Sequence, residues 1–135
     1  MLKIGLLGAG RIGAVHAKAI TSHPGSRLAA VSDVNSEAAS KLAASFGAEA
    51  QSNEAILADA SIDAVLIASS TNTHSDLIEA ATRAGKAVLC EKPVDLSLAR
   101  AQACLKAAGA TVYGVDNVPP IAEGLCSNPC TLAAP

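Results

Sequence analysis

The sequence predicts an α/β fold, a doubly wound parallel sheet with helices on both faces. Three observations predict it. Short apolar runs alternate with helix-forming segments over residues 3–114 of the 135, an order that needs crossover helices between parallel strands. The run Ala64-Val65-Leu66-Ile67-Ala68 lacks polar–apolar alternation, as a central strand covered on both sides would. Between the first strand and the first helix stands Gly8-Ala9-Gly10-Arg11-Ile12-Gly13, a glycine turn in strand–turn–helix context.

Taken in order, residues 3–7 read as a buried strand and residues 14–20 as the helix after the turn. Residues 28–33 form the second strand, closed by Asp33, and residues 36–46 an alanine-rich helix that Gly47 ends. A short helix over 53–58 precedes the central strand. Ser69-Ser70-Thr71-Asn72-Thr73-His74 then lead into a helix over about 75–84. Gly85 precedes the strand 87–90, and Glu91-Lys92-Pro93 follow it at once. Ser97 caps a helix to about Lys106, and residues 111–114 begin a last strand.

Composition excludes several functions. Phe46 and Tyr113 are the only aromatic residues, so base-stacking platforms and aromatic cages are ruled out. Net charge is −2 and the ten Lys and Arg are scattered, which leaves no basic stripe for nucleic acid. No apolar stretch reaches the roughly 18–20 residues of a membrane span, and glycines interrupt the apolar start before a signal helix could form. The expectation is a soluble, cytoplasmic protein. Cys90, Cys104, Cys126 and Cys130 lack paired metal-site spacing and read as reduced thiols, with no metal site.

The residues at the predicted carboxyl edge of the sheet carry the chemistry. Gly8 permits a tight turn, Gly10 lets a diphosphate approach the backbone, and Gly13 lets the helix pack on the strand. The N–H groups at the helix start then favour an anion. Asp33 lies 20 residues after Gly13, where an acid can accept hydrogen bonds from an adenosine ribose, or else cap the next helix. A carboxylate there repels a 2′-phosphate, which predicts NAD over NADP. Ser69, Ser70, Thr71, Asn72 and His74 stand where the nicotinamide half would rest, or serve only as helix caps. Lys92 places an ammonium group at the same edge, able to donate to a reacting hydroxyl or to lower its pKa; the alternative is a solvated surface lysine. Pro93 fixes the turn that aims it, with a cis Lys92–Pro93 bond as one way to do so. His16 and His23 read as ordinary helix and loop residues.

Together GLLGAGRIGAVHAKAI, ASSTNTHSDLIEAA and CEKPVDLSLA resemble the family of glucose-fructose oxidoreductase and inositol dehydrogenase. The resemblance covers residues 1–114 and implies a Rossmann-type NAD-binding domain followed by a second α/β substrate domain. It implies an enzyme that oxidises a ring hydroxyl of a polyol or sugar, myo-inositol above all, to a ketone, passing hydride to NAD, usually as a homotetramer. Lys92 matches the family lysine that hydrogen-bonds substrate and nicotinamide ribose. Gly8, Gly10, Arg11, Ile12 and Asp33 match diphosphate and ribose positions, and Ala9 and Gly13 complete that turn. Ser69, Thr71, Asn72, His74 and Glu91 match the nicotinamide side.

The departure lies at the end of the chain. Where the family continues with a glycine-aromatic-arginine-arginine segment, this chain has Val115-Asp116-Asn117-Val118. Four of the six prolines follow Gly114, and no Lys or Arg lies beyond Lys106. Residues 115–135 therefore read either as a disordered native tail or as the product of a reading frame shifted near residues 107–115. The family's catalytic aspartate and histidine belong to the domain not found here. The expectation is a truncated chain that binds NAD without turnover; the rival reading is a stand-alone nucleotide-binding regulatory module with a partner-binding tail.

Overall fold

The computed structural model describes residues 1–109 and 112–115. Residues 110, 111 and 116–135 lie outside the described residues, and with them Cys126, Cys130 and all of the predicted tail but Val115, which ends the last strand. The elements are β1 (Leu2–Leu7), α1 (Arg11–Ser22), β2 (Ser26–Ser32), α2 (Ser36–Ser45), β3 (Glu49–Ala50), α3 (Asn53–Ala58), β4 (Ala64–Ile67), a 3₁₀ turn (Thr71–Thr73), α4 (His74–Arg83), β5 (Ala87–Glu91), α5 (Leu98–Ala108) and β6 (Val112–Val115).

The sheet runs β3-β2-β1-β4-β5-β6, and its neighbouring strands pair in parallel. From β1 the chain winds outward through β2 and β3, then returns to lay β4, β5 and β6 on the other side. The switch between β1 and β4 opens a crevice at their carboxyl ends, the place where such sheets bind ligands.

Successive residues of β1, β4 and β5 feed two separate cores, to which β2 also contributes. Leu6, Leu28, Val31 and Leu66 meet Ala17 and Ile20 of α1 and Ala39 and Ala43 of α2. Leu7, Val65, Ile67, Val88 and Cys90 meet Ile56, Ile78, Ala81 and Cys104 from α3, α4 and α5. With so few aromatics, small alanines on the helices let them approach the sheet closely enough to close both layers.

The structure departs from the sequence reading at element edges. Helix α1 begins at Arg11 rather than residue 14, because Gly10 is already its N-cap, so Gly13 lies inside the helix. Strand β2 stops at Ser32, leaving Asp33 just beyond it. Asp33 does not cap α2: Asn35 does, its side chain accepting from Glu37 and Ala38 N–H. The two-residue strand β3, exposed and without an apolar run, was not expected.

One buried charged group locks the frame. Lys86 is 6% exposed, and its Nζ donates to the carbonyl oxygens of Asp59 at 2.5 Å and Ile62 at 2.8 Å. It thereby ties the loop before β4 to the turn before β5. Lys86→Met strands two carbonyls and should cost about 2–4 kcal/mol, read as a lowered denaturant midpoint with unchanged slope; an unchanged midpoint would refute the tie.

Burial pushes the Cys90 thiol up, from 9.0 to about 12, with Cys104 and Glu91 adding to the shift. Below about pH 9 both folded and unfolded chains keep this proton. As pH rises from 9 towards 12 only the unfolded chain releases it, so Cys90 lowers stability over that window. Alkaline unfolding should therefore ease in Cys90→Ala relative to the parent above pH 9, and identical pH profiles for the two would contradict this.

Among the described residues no helix is long and apolar enough to cross a membrane. No group of three or more His, Cys, Asp or Glu among them could hold a metal ion.

Candidate functional site

The site grows from the end of β1. Gly8 has φ +117°, and a Cβ built on it would lie 2.5 Å from the Ala68 carbonyl, so the turn out of β1 brushes the backbone leaving β4. A Cβ on Gly13 would collide with the Gly8 carbonyl oxygen, because α1 folds back directly on the turn. Gly10 differs: nothing stands within 4 Å of a Cβ placed there, and its open side faces a cavity of about 520 Å³.

That cavity meets the start of α1. Side chains cap α2, α3 and α5, namely Asn35, Ser52 and Ser97. No side chain caps α1, so its first N–H groups have no acceptor within the helix and present partial positive charge to the cavity. A diphosphate fits this donor set. Asp33, across the turn, accepts from Ala9 N–H through Oδ2 at 2.6 Å and from Asn35 N–H through Oδ1 at 2.8 Å. Each carboxylate oxygen keeps lone-pair capacity for a sugar hydroxyl.

The opposite wall comes from the end of β4. Ser69 and Ser70 line the cavity, and Ser69 Oγ pairs with Thr73 Oγ1 at 2.7 Å. Behind them His74, 1% exposed, faces two carbonyl oxygens: Nδ1 is 2.9 Å from that of Pro93 and Nε2 3.1 Å from that of Ser69. Ser75 continues this clamp, its Oγ donating to Asp95 Oδ2 at 2.7 Å, which holds the Asp95 carboxyl below its ordinary range. The β5–α5 loop is thus fastened to α4 immediately after Lys92. Lys92 itself is exposed and its side chain makes no hydrogen bond or ion pair among the described residues, and the Lys92–Pro93 bond is cis. On the other side of Lys92, Glu91 Oε1 lies 2.6 Å from His16 Nε2.

A family profile described as an oxidoreductase family with an NAD-binding Rossmann fold matches residues 2–112. The chain belongs to that family. An inositol 2-dehydrogenase of Rhizobium meliloti is 53% identical over 105 residues, which are 78% of this chain and 32% of the relative. A crystal structure of a myo-inositol dehydrogenase from Corynebacterium glutamicum superimposes with TM-score 0.80 at 40% identity, over 84% of this chain and 35% of that one. A myo-inositol dehydrogenase from Lactobacillus casei, in complex with NAD(H) and myo-inositol, gives TM-score 0.80 at 25% identity, over 84% of this chain and 36% of that one. The chain spans about a third of the length of the relatives it matches.

In this member of the oxidoreductase family, Gly8, Gly10, Arg11, Ile12, Asp33, Ser69 and Ser70 share one cavity. Other residues singled out in the sequence stand apart from its lining. Ala9 has committed its N–H to Asp33, and Gly13 is buried beneath the turn. Thr71 and Asn72 form the 3₁₀ turn behind the cavity wall. His74 and Glu91 are held by backbone carbonyls and by His16 respectively.

Sequence reasoning missed Ser32, Val34, Asn53, Thr73, Asp76 and Leu77, which also line the cavity. Ser32 and Asn53 join through a 2.5 Å hydrogen bond. Asp76, at the rim, pairs with Arg100 at 2.7 Å. Val34, fully exposed directly after Asp33, had no signal in the sequence beyond its place beside that acid. His16 lies in α1 as expected, and spacing gave no sign of its partner Glu91, 75 positions away.

Proposed function

We propose that these residues are the NAD-binding portion of an inositol dehydrogenase that oxidises a ring hydroxyl of myo-inositol to the ketone. The observation that carries the reading is the convergence of an uncapped helix start, the open side of Gly10 and the Asp33 carboxylate on one cavity. Bound NAD supplies the hydride acceptor. The first-turn N–H groups of α1, with Arg11 beside them, hold the diphosphate, and Asp33 accepts from the ribose hydroxyls. Ala9, Gly13, Thr71, Asn72 and His74 act one layer back, shaping the turn and the 69–74 wall. Lys92, on its clamped loop, donates to the reacting hydroxyl and favours its ionised form. As the family resemblance implies, the proton acceptor belongs to the part of the relatives beyond the third this chain spans. A homotetramer acting in the cytoplasm on a small polyol, without nucleic-acid or membrane partners, belongs to the same reading.

The test is a chimaera in which residues 1–112 replace the matching portion of the Rhizobium meliloti relative. It should reduce NAD with myo-inositol at a rate near the relative's own; a folded chimaera that forms no NADH would count against residues 1–112 as the NAD-binding portion of such an enzyme. Lys92→Ala in the chimaera should lower kcat by about 100-fold or more and leave NAD affinity nearly unchanged. Equal kcat would remove Lys92 from the chemistry. The 135 residues alone, offering one wall of the cleft, should form no NADH above background, since hydride transfer needs both reactants held in contact.

A further inference from the structure

We propose that His16 is a positioning residue for Lys92, acting through Glu91. The inference rests on the reading of Lys92 as the donor at the coenzyme edge. Leu89 belongs to the core layer beneath α1 and α2, while Val88 and Cys90 belong to the opposite layer. Strand alternation therefore turns Glu91, at the end of β5, towards α1. There its Oε1 meets His16 Nε2 at 2.6 Å, with the two side chains only 17% and 19% exposed.

An ionised carboxylate can only accept, so Nε2 carries the hydrogen. A contact this short between half-buried groups is of the charge-assisted kind, and a carboxylate left without it would be poorly solvated. The contact is non-local, joining positions 75 apart. It links the helix whose first turn faces the diphosphate site to the residue directly before Lys92. On the far side of Lys92, His74 and Ser75 fasten the loop to α4. Lys92 is thus the unfastened link between two fastened ones. His16 sets where that link starts relative to the diphosphate grip.

The test uses the 135-residue chain without coenzyme, so that its outcome does not depend on NAD binding. Backbone ¹⁵N relaxation should give the Lys92 amide an order parameter near that of rigid backbone, about 0.85, falling towards about 0.6 in His16→Ala. Glu91→Leu should do the same. Amides of Leu7, Val31 and Leu66 should keep their values, and His16→Gln, which retains a donor at similar reach, should restore Lys92. A Lys92 amide equally rigid in His16→Ala overturns the proposal. So does a loss of order spread evenly over all strands, or a failure of glutamine to rescue. Should His16→Ala not fold, the imidazole ¹⁵N spectrum of the unaltered chain decides: a proton on Nε2, with a resonance moved by Glu91→Gln, supports the link, and its absence from Nε2 overturns it. A failed NAD titration would sink the coenzyme reading and leave this result standing.

Discussion

Gly8→Ala is expected to unfold the chain or nearly so, while Gly10→Ala leaves it folded and unable to bind NAD. At Gly8 a methyl group meets the Ala68 carbonyl at 2.5 Å, with φ at +117°. The strained backbone costs about 1–3 kcal/mol, and forcing the strand ends apart about 1–3 kcal/mol more. That sum consumes much of the roughly 5–15 kcal/mol that holds an ordinary domain together. At Gly10 the methyl group meets nothing within 4 Å, and alanine in place of glycine at an N-cap costs about 1 kcal/mol. Its Cβ projects into the cavity, where the diphosphate needs the backbone bare. Circular dichroism melts and NAD calorimetry on both variants check the split. Two variants equally folded, or a Gly10→Ala chain that binds NAD as the parent does, would show that the glycines serve the turn alone.

Asp33→Ala is expected to weaken NAD binding by about 100-fold, a value set by the 1.5–3 kcal/mol of a hydrogen bond to a charged group. Two losses combine. The ribose loses its acceptor, and the Ala9 N–H loses the 2.6 Å bond that fixes the turn. NADP gains from removal of the carboxylate but suffers from the loosened turn, so its affinity should change far less. The preference for NAD therefore collapses mainly because NAD binds worse. Parallel titrations with both coenzymes measure this, and unchanged curves for both would take Asp33 out of the site.

The parallel sheet and the succession of its longer strands were legible because each feature has a local cause. Unalternated aliphatic runs such as 64–67 mark strands covered on both faces, and Gly8 before α1 marks a turn that nothing larger could make. Asp33 could be placed by spacing alone. Strand β3 escaped notice because two exposed residues carry no periodicity; it exists only as an extension of β2 at the sheet edge. Residues on α3 and α4 such as Asn53, Asp76 and Leu77 reach the cavity through packing, to which sequence spacing is blind.

The histidines show the same limit from opposite sides. His74 was singled out because of its motif; its buried ring faces the backbone carbonyl oxygens of Pro93 and Ser69, beside the loop behind Lys92. His16 looked ordinary because its partner Glu91 is remote in the chain. Motif reading singled out residues at the carboxyl edge of the sheet, seven of which line one cavity. It could not separate residues that line the cavity from those that hold the lining in place.

The most direct measurement follows backbone amide resonances while NAD is added to the folded 135-residue chain. Main-chain donors at the start of α1 require the signals of Gly10, Arg11 and Ile12 to shift and saturate together with Asp33. No saturable binding, or binding that leaves those amides where they were, would contradict the account.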